Sequence, residues 1–278
     1  MPYIIICGCA LAALFILRFA AIGRVDPPLS LEVAHAQIIG RREINADAFE
    51  WAARQGKTML IVADGIGTGT RGRTAALAAT DSIARTFELQ GLLANPSFFF
   101  KQAFHNANEA VLRYIPDGTS GANVLCILLD GGTLYYALAG NCQAAVYRRG
   151  KLIPLSEGQT LDVLARNAFK RQEIRREEAR EVYRERRVYN YVGKDGFNDL
   201  EMFDVPVALK QGDIIVLMTD GVYDFCPPLD METILQTKRN CKQKAQAIMN
   251  LLSERDDPHQ DNATIVLAKI NRLKNGRG

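Results

Sequence analysis

Apolar and polar positions fall into blocks along this 278-residue chain. Residues 57–64, KTMLIVAD, form a short apolar run ending in Asp-Gly, which predicts a buried strand. Between 70 and 90, Ala76, Ala79, Ile83 and Phe87 recur at helical spacing and Gly91 follows as a stop, so a helix is expected. A second helix is expected over 96–114, closed by Pro116-Asp117-Gly118. Three strands follow at 122–129, 133–138 and 143–148, the first two joined by the hairpin signal Asp130-Gly131-Gly132. Helical patterning resumes over 159–169 and 174–182. Arg and Glu interleave from there to Arg187, and the mixed signs favour a solvated, ion-paired helix over a basic docking surface. Residues 213–220 predict another buried strand, and 262–270 a final one. Between them, Cys241, Ala245, Ile248 and Leu252 make a helical apolar stripe. Strands that arrive as meanders, with helices in pairs, predict antiparallel sheet with packed helices, not a regular βαβ winding.

The first thirty residues break this pattern. Residues 3–17 carry no charge and no Pro, and the apolar run continues past Arg18 to Gly23. About 20 apolar residues suffice to span a bilayer, and an Arg near one end can reach the headgroups. No basic residue precedes the run, which argues against a cleaved signal peptide. The expectation is one transmembrane helix over 1–24, a linker over 25–30 that opens with Asp26-Pro27-Pro28, one domain over 31–271, and a tail over 272–278. Arg18 and Arg24 lie on the C-terminal side only, so the positive-inside rule places the domain in the cytoplasm of a single-pass membrane protein.

Composition narrows the class. Hydrophobic residues are 48% of the chain and charged residues 23%, which excludes disorder. A net charge of +3 is too mild to argue for nucleic acid. Cys126, Cys142, Cys226 and Cys241 are scattered, with no CxxC and no His at metal spacing, and read as small buried hydrophobes.

The candidate chemistry lies in carboxylates. Asp64 and Asp220 each end an apolar strand and are followed by Gly, and Asp261 precedes the last strand. Each alone is an ordinary turn residue. Together, acids at the mouths of buried strands repel one another unless cations hold them, and oxygen-only ligands favour Mg²⁺ or Mn²⁺. Gly65 allows close backbone approach and offers a carbonyl. Upstream, Arg42 and Asp47 precede the first predicted strand, and an Arg fork matches two phosphate oxygens.

In order, these residues read G-x-R-x-x-N-x-D at 40–47, D-G-x-G at 64–67, S-G-A-N-V at 120–124, L-x-x-G-D-x-x-x-L-x-T-D-G-V-x-D at 209–224 and D-N-A-T at 261–264. The series resembles the metal-dependent Ser/Thr protein phosphatases of type 2C, over about residues 32–270. The resemblance implies an α/β (α+β) sandwich, with two packed antiparallel β-sheets flanked by helices and a binuclear metal site at one end. It implies that Asp64 bridges two Mn²⁺ or Mg²⁺ ions, that Asp220 and Asp261 complete the first, that the Gly65 carbonyl serves the second, and that Asp47 acts through water. Arg42 would hold the substrate phosphate, and a bridging hydroxide would attack phosphorus. Asp224 also matches the pattern and is expected to be structural. The implied partners are phosphorylated proteins, a Ser/Thr kinase on the same membrane being a natural opponent, and the chain is expected to be a monomer.

The chain departs from the family at four places. Ala46 stands where a Glu or Gln is usual, and Ile66 where many eukaryotic members have His. Gly140-Asn141-Cys142-Gln143 replaces G-D-S-R, so a third metal site is expected to be lost at Asn141. The stretch Gly158-Gln159-Thr160 is also altered. These changes leave a second reading open: a pseudophosphatase that binds phosphoproteins or a kinase without turnover. Substrate choice is expected to reside in 187–203.

Overall fold

A computed structural model describes residues 29–90, 95–182, 187–197 and 199–273. The predicted anchor 1–24, most of the linker, and tail residues 274–278 lie outside the described residues. Among the described residues no helix is long and apolar enough to cross a membrane.

Among the described residues, eleven strands build two antiparallel sheets. One sheet has the order β1 (Ser30–Ile38), β11 (Ala263–Arg272), β10 (Ile214–Met218), β6 (Gln143–Arg148), β7 (Lys151–Pro154). The other runs β2 (Ala48–Arg54), β3 (Lys57–Ile66), β4 (Gly121–Asp130), β5 (Thr133–Ala139), β8 (Glu201–Met202), with β9 (Val207–Ala208) also on β5. Helices α1 (Thr70–Gln90) and α2 (Pro96–Tyr114) cover the outer face of the second sheet, burying Ile83, Phe87, Phe99 and Phe104 with Met59 and Ile61. After α3 (Leu161–Lys170), α4 (Arg176–Val182), α5 (Asp220–Tyr223) and α6 (Pro228–Gln236), helix α7 (Cys241–Arg255) covers the first sheet. Asn95 caps α2 through its side chain, and Asn240 with Gln243 forms a capping box on α7.

Side-chain parity decides what each strand aims inward. In β3, Met59, Ile61 and Ala63 face the helices, whereas Leu60 and Val62 face the opposite sheet. In β4, Val124, Cys126 and Leu128 face out, and Leu125, Ile127 and Leu129 face in. Val266 and Ala268 of β11 and Ile215 and Leu217 of β10 meet them from the other sheet. Carried to one end of the sandwich, the inward parity lands on Asp47, Asp64, Asn123, Thr219 and Thr264. The apolar layer between the sheets therefore ends in a polar row.

Several boundaries differ from expectation. The 213–220 strand stops at Met218, and Asp220 opens a helical turn instead of ending the strand. The reason is crowding: a Cβ on Gly221 would lie 2.0 Å from the Asn262 carbonyl oxygen, so the chain turns away with no side chain there. The 159–169 helix begins only at Leu161, because Gln159 donates its backbone N–H to Gly140 and accepts from Tyr189. The 174–182 helix begins at Arg176. Strands β1 and β2 are sheet edges, half covered, and their broken apolar pattern gave no strand signal. The hairpin prediction holds, with Asp130 opposite Thr133, and the four cysteines are buried and free.

Candidate active site

The polar end of the sandwich opens into a cleft of about 770 Å³, lined by Arg42, Asp64, Gly65, Asn141, Asp220 and Asp261 among others. Of the sequence-predicted residues, only Asp47 is not in the lining. It lies behind the cleft, 4% exposed. Its Oδ2 accepts from Thr219 Oγ1 at 3.0 Å and Thr264 Oγ1 at 2.6 Å. Its Oδ1 is buried with no hydrogen-bond partner among the described residues.

The Arg42 loop is tied to the start of β11 by one side chain. Asn262 donates through Nδ2 to the Ile39 carbonyl at 2.7 Å and accepts the Ala46 N–H on Oδ1 at 2.8 Å. Gln260 Nε2 donates to the Gly221 carbonyl at 2.8 Å, joining the Asp261 segment to the Asp220 turn. The Arg42 guanidinium forks onto Asp261, with Nε 2.7 Å from Oδ1 and Nη2 2.5 Å from Oδ2. Asp64 lies two residues before the end of β3, opposite Asn123 in the β3–β4 register, and Asn123 Nδ2 donates to Asp64 Oδ2 at 2.8 Å. Asn141 Nδ2 donates to Asp220 Oδ2 at 3.0 Å.

Electrostatics set the character of the cleft. Burial, then repulsion from Asp220 and Asp47, holds the Asp64 carboxyl well above the usual carboxylate range, against the Asn123 donor. Burial pushes Asp47 up to about 7, opposed by the Thr264 and Thr219 hydroxyls. Asp220 is raised by burial, then by Asp261 and Asp224. The Arg42 fork on Asp261 raises the guanidinium further. Like charges gathered in low dielectric, with Arg42 paired among the described residues to Asp261 alone, are the setting that a divalent cation relieves.

Among the described residues, no three His, Cys, Asp or Glu side chains converge as a closed cage for one ion. Asp261 is engaged by Arg42, and Asp47 is turned toward two threonines. The donor set nevertheless suits a hard divalent ion. It consists of oxygens only, from Asp64, Asp220, Asp261 and the Gly65 carbonyl, with unpartnered buried Oδ1 atoms on Asp47 and Asn141. Gly65 is packed so closely that a Cβ would lie 2.2 Å from the Gly72 carbonyl oxygen, so only Gly fits there. Asn141, where the sequence leads one to expect the loss of a third metal site, is a neutral amide that donates to Asp220 where a carboxylate would repel it.

Sequence reasoning gave no role to Asn123, Thr219 or Thr264, although all three sit in the quoted motifs. Strand parity was the available signal, since each shares the inward face with an apolar neighbour two residues away. Arg187 and Tyr191, from the stretch assigned to substrate choice, also line the cleft.

Known proteins match this architecture. The family model for protein phosphatase 2C matches residues 36–267. The serine/threonine phosphatase stp of Listeria welshimeri serovar 6b is 23% identical over 242 residues, covering 84% of this chain and 92% of its own length. The S. agalactiae serine/threonine phosphatase structure superposes with a TM-score of 0.75 at 19% identity, covering 87% of this chain and 100% of that one. The Mycobacterium tuberculosis phosphatase PstP/Ppp gives 0.70 at 22% identity, over 87% and 99%. The catalytic domain of PstP, solved with two manganese ions, gives 0.65 at 22% identity, over 86% and 99%. With the sandwich, the order of motifs and the acidic cleft in agreement, the chain belongs to the protein phosphatase 2C family of serine/threonine phosphatases.

Proposed function

We propose that this chain is a divalent-cation-dependent phosphoserine/phosphothreonine protein phosphatase that uses two Mn²⁺ or Mg²⁺ ions. The observation that carries the reading is the convergence of Asp64, Asp220, Asp261 and Arg42 on one cleft at the polar end of the sandwich. Asp64 would contact both ions, Asp220 and Asp261 the first, and the Gly65 carbonyl the second, with Asp47 acting from behind through water. Bound there, the cations supply Lewis-acid polarisation of the phosphoryl oxygens and activation of water. Arg42 turns from Asp261 to the substrate phosphate, which its fork fits in the same bidentate way. Asn262 keeps the Arg42 loop in place during that exchange. Phosphate release from a phosphothreonine peptide in Mn²⁺, abolished by EDTA, tests the reading; no release with any divalent ion would overturn it.

Asn141 and Ala46 favour a second reading, a phosphoprotein-binding module without turnover. Calorimetry separates the two, since two tight Mn²⁺ sites support the enzyme and none supports the module. The uncharged run over 3–17, flanked by arginines on one side, supports anchoring through 1–24 with the phosphatase domain in the cytoplasm. Phosphoproteins of the same membrane, including a Ser/Thr kinase, are then the substrates within reach. Membrane fractionation of the full chain and of a chain lacking 1–24 tests this, and recovery of the full chain as soluble protein would contradict it.

A further inference from the structure

We propose that Asn123 and Asn141 are a matched pair of positioning residues, each gripping one oxygen of a strand-mouth aspartate and so aiming the other at the cations. The inference rests on the cation-dependent reading above and adds residues to it. The two contacts use the same donor and acceptor groups, one within the β3–β4 ladder and one just past the end of the β10–β6 ladder. Asn123 is the cross-strand partner of Asp64 in the β3–β4 register, and its Nδ2 lies 2.8 Å from Asp64 Oδ2. In the other sheet the β10–β6 ladder ends with Met218 opposite Gln143; just beyond it Asp220 opens α5 and Asn141 precedes β6, and Asp220 Oδ2 lies 3.0 Å from Asn141 Nδ2.

Chemistry fixes which end of each amide faces the acid. With cations bound the two carboxylates are ionised and only accept, so the NH₂ group must point at each and the carbonyl away. Both carbonyl oxygens are then buried without a partner among the described residues. An amide kept only for packing would use both ends. Here the donor end alone is engaged, and in both cases on a candidate cation ligand.

The surrounding backbone is shaped to the same end. Gly140 has φ +110°, and a Cβ there would lie 2.2 Å from Asn123 Oδ1, so the glycine makes room for the amide. Asn141 is held through its own carbonyl, which accepts from the Tyr223 hydroxyl at 2.9 Å. Asn123 is 2% exposed and Asn141 9%, so neither amide swings freely. Being neutral, the pair orients the two acids without adding a charge to the cluster. Outer-shell hydrogen bonds of this kind fix ligand geometry and tune affinity for the ion.

The test uses the full chain and Mn²⁺, with calorimetry as the first readout. Asn123→Ala and Asn141→Ala should each raise the Mn²⁺ Kd by about tenfold or more. Each should lower kcat on a phosphothreonine peptide while the peptide KM stays within about twofold of wild type. Should an alanine variant fail to fold, Asn123→Ser and Asn141→Ser keep a small polar group too short to reach the acid and should show the same loss. Folded variants with lowered Tm but unchanged Mn²⁺ affinity and kcat would overturn the inference alone. A wild-type chain that takes up no Mn²⁺ would overturn the proposed function and this inference with it.

Discussion

Arg42 and Asp261 form a bidentate pair, yet the Arg42 side chain is 62% exposed and the Asp261 side chain 33%. Exposed pairs of this kind contribute about 0–1 kcal/mol, so stability is not what the contact supplies. Arg42→Ala should leave the melting temperature nearly unchanged and raise KM for a phosphopeptide severalfold, by steady-state kinetics. Asp47 is the opposite case. Its one engaged oxygen relies on two hydroxyls, and Thr264 is fully buried. Thr264→Val keeps the shape and removes one donor from a buried acid. It should destabilise the metal-free protein by about 1–3 kcal/mol, measured by urea unfolding. These roles were illegible in the sequence because partners lie far apart along it: Asp64 and Asn123 are 59 residues apart, Asp47 and Thr219 172, and Asp47 and Thr264 217.

At the scale of elements, the mouth of the sandwich is held by close backbone approach. Gly65 and Gly221 each face a carbonyl where any Cβ would clash. Gly221→Ala would push the Asp220 turn away from the Asn262 segment and should reduce both Mn²⁺ affinity and phosphate release. Remote from the cleft, Arg148 forks onto Asp213 with Nε 2.9 Å from Oδ1 and Nη2 2.6 Å from Oδ2, tying β6 to the start of β10. The Asp213 side chain is 3% exposed. Asp213→Ala leaves the half-buried Arg148 guanidinium with only the Ala208 carbonyl among the described residues and should lower stability, measured by denaturation. The helices Thr70–Gln90 and Pro96–Tyr114 were legible from residue spacing, the stop at Gly91 and the turn after Tyr114. The central strands were legible as apolar runs, but such runs do not say which face meets which sheet. That information came only with pairing, and with it the reason Asp64 and Asn123 point into one cleft. Edge strands β1 and β2 carried no continuous run and were missed.

For the whole molecule, residues 29–273 form one compact unit of helices, two sheets and helices, with acids gathered at one end of the inter-sheet layer. Asp64, Asp220 and Asp261 were readable in advance because each stands beside a predicted strand and next to Gly or Asn. The amides and hydroxyls that orient them were not, since they act across the sheets. Three of the site's acids have raised affinity for protons through burial and mutual repulsion, so a cation bound among them should stabilise the fold. Mn²⁺ should raise Tm in a concentration-dependent manner and EDTA should reverse the rise. The most direct measurement is phosphate release from a phosphothreonine peptide by the full chain as Mn²⁺ is titrated, beside Asp220→Asn under the same conditions. The account predicts a rate that rises with Mn²⁺ to saturation in the wild type and is absent in Asp220→Asn. Equal release by the two proteins, or none from a well-folded wild type at saturating Mn²⁺, would contradict it.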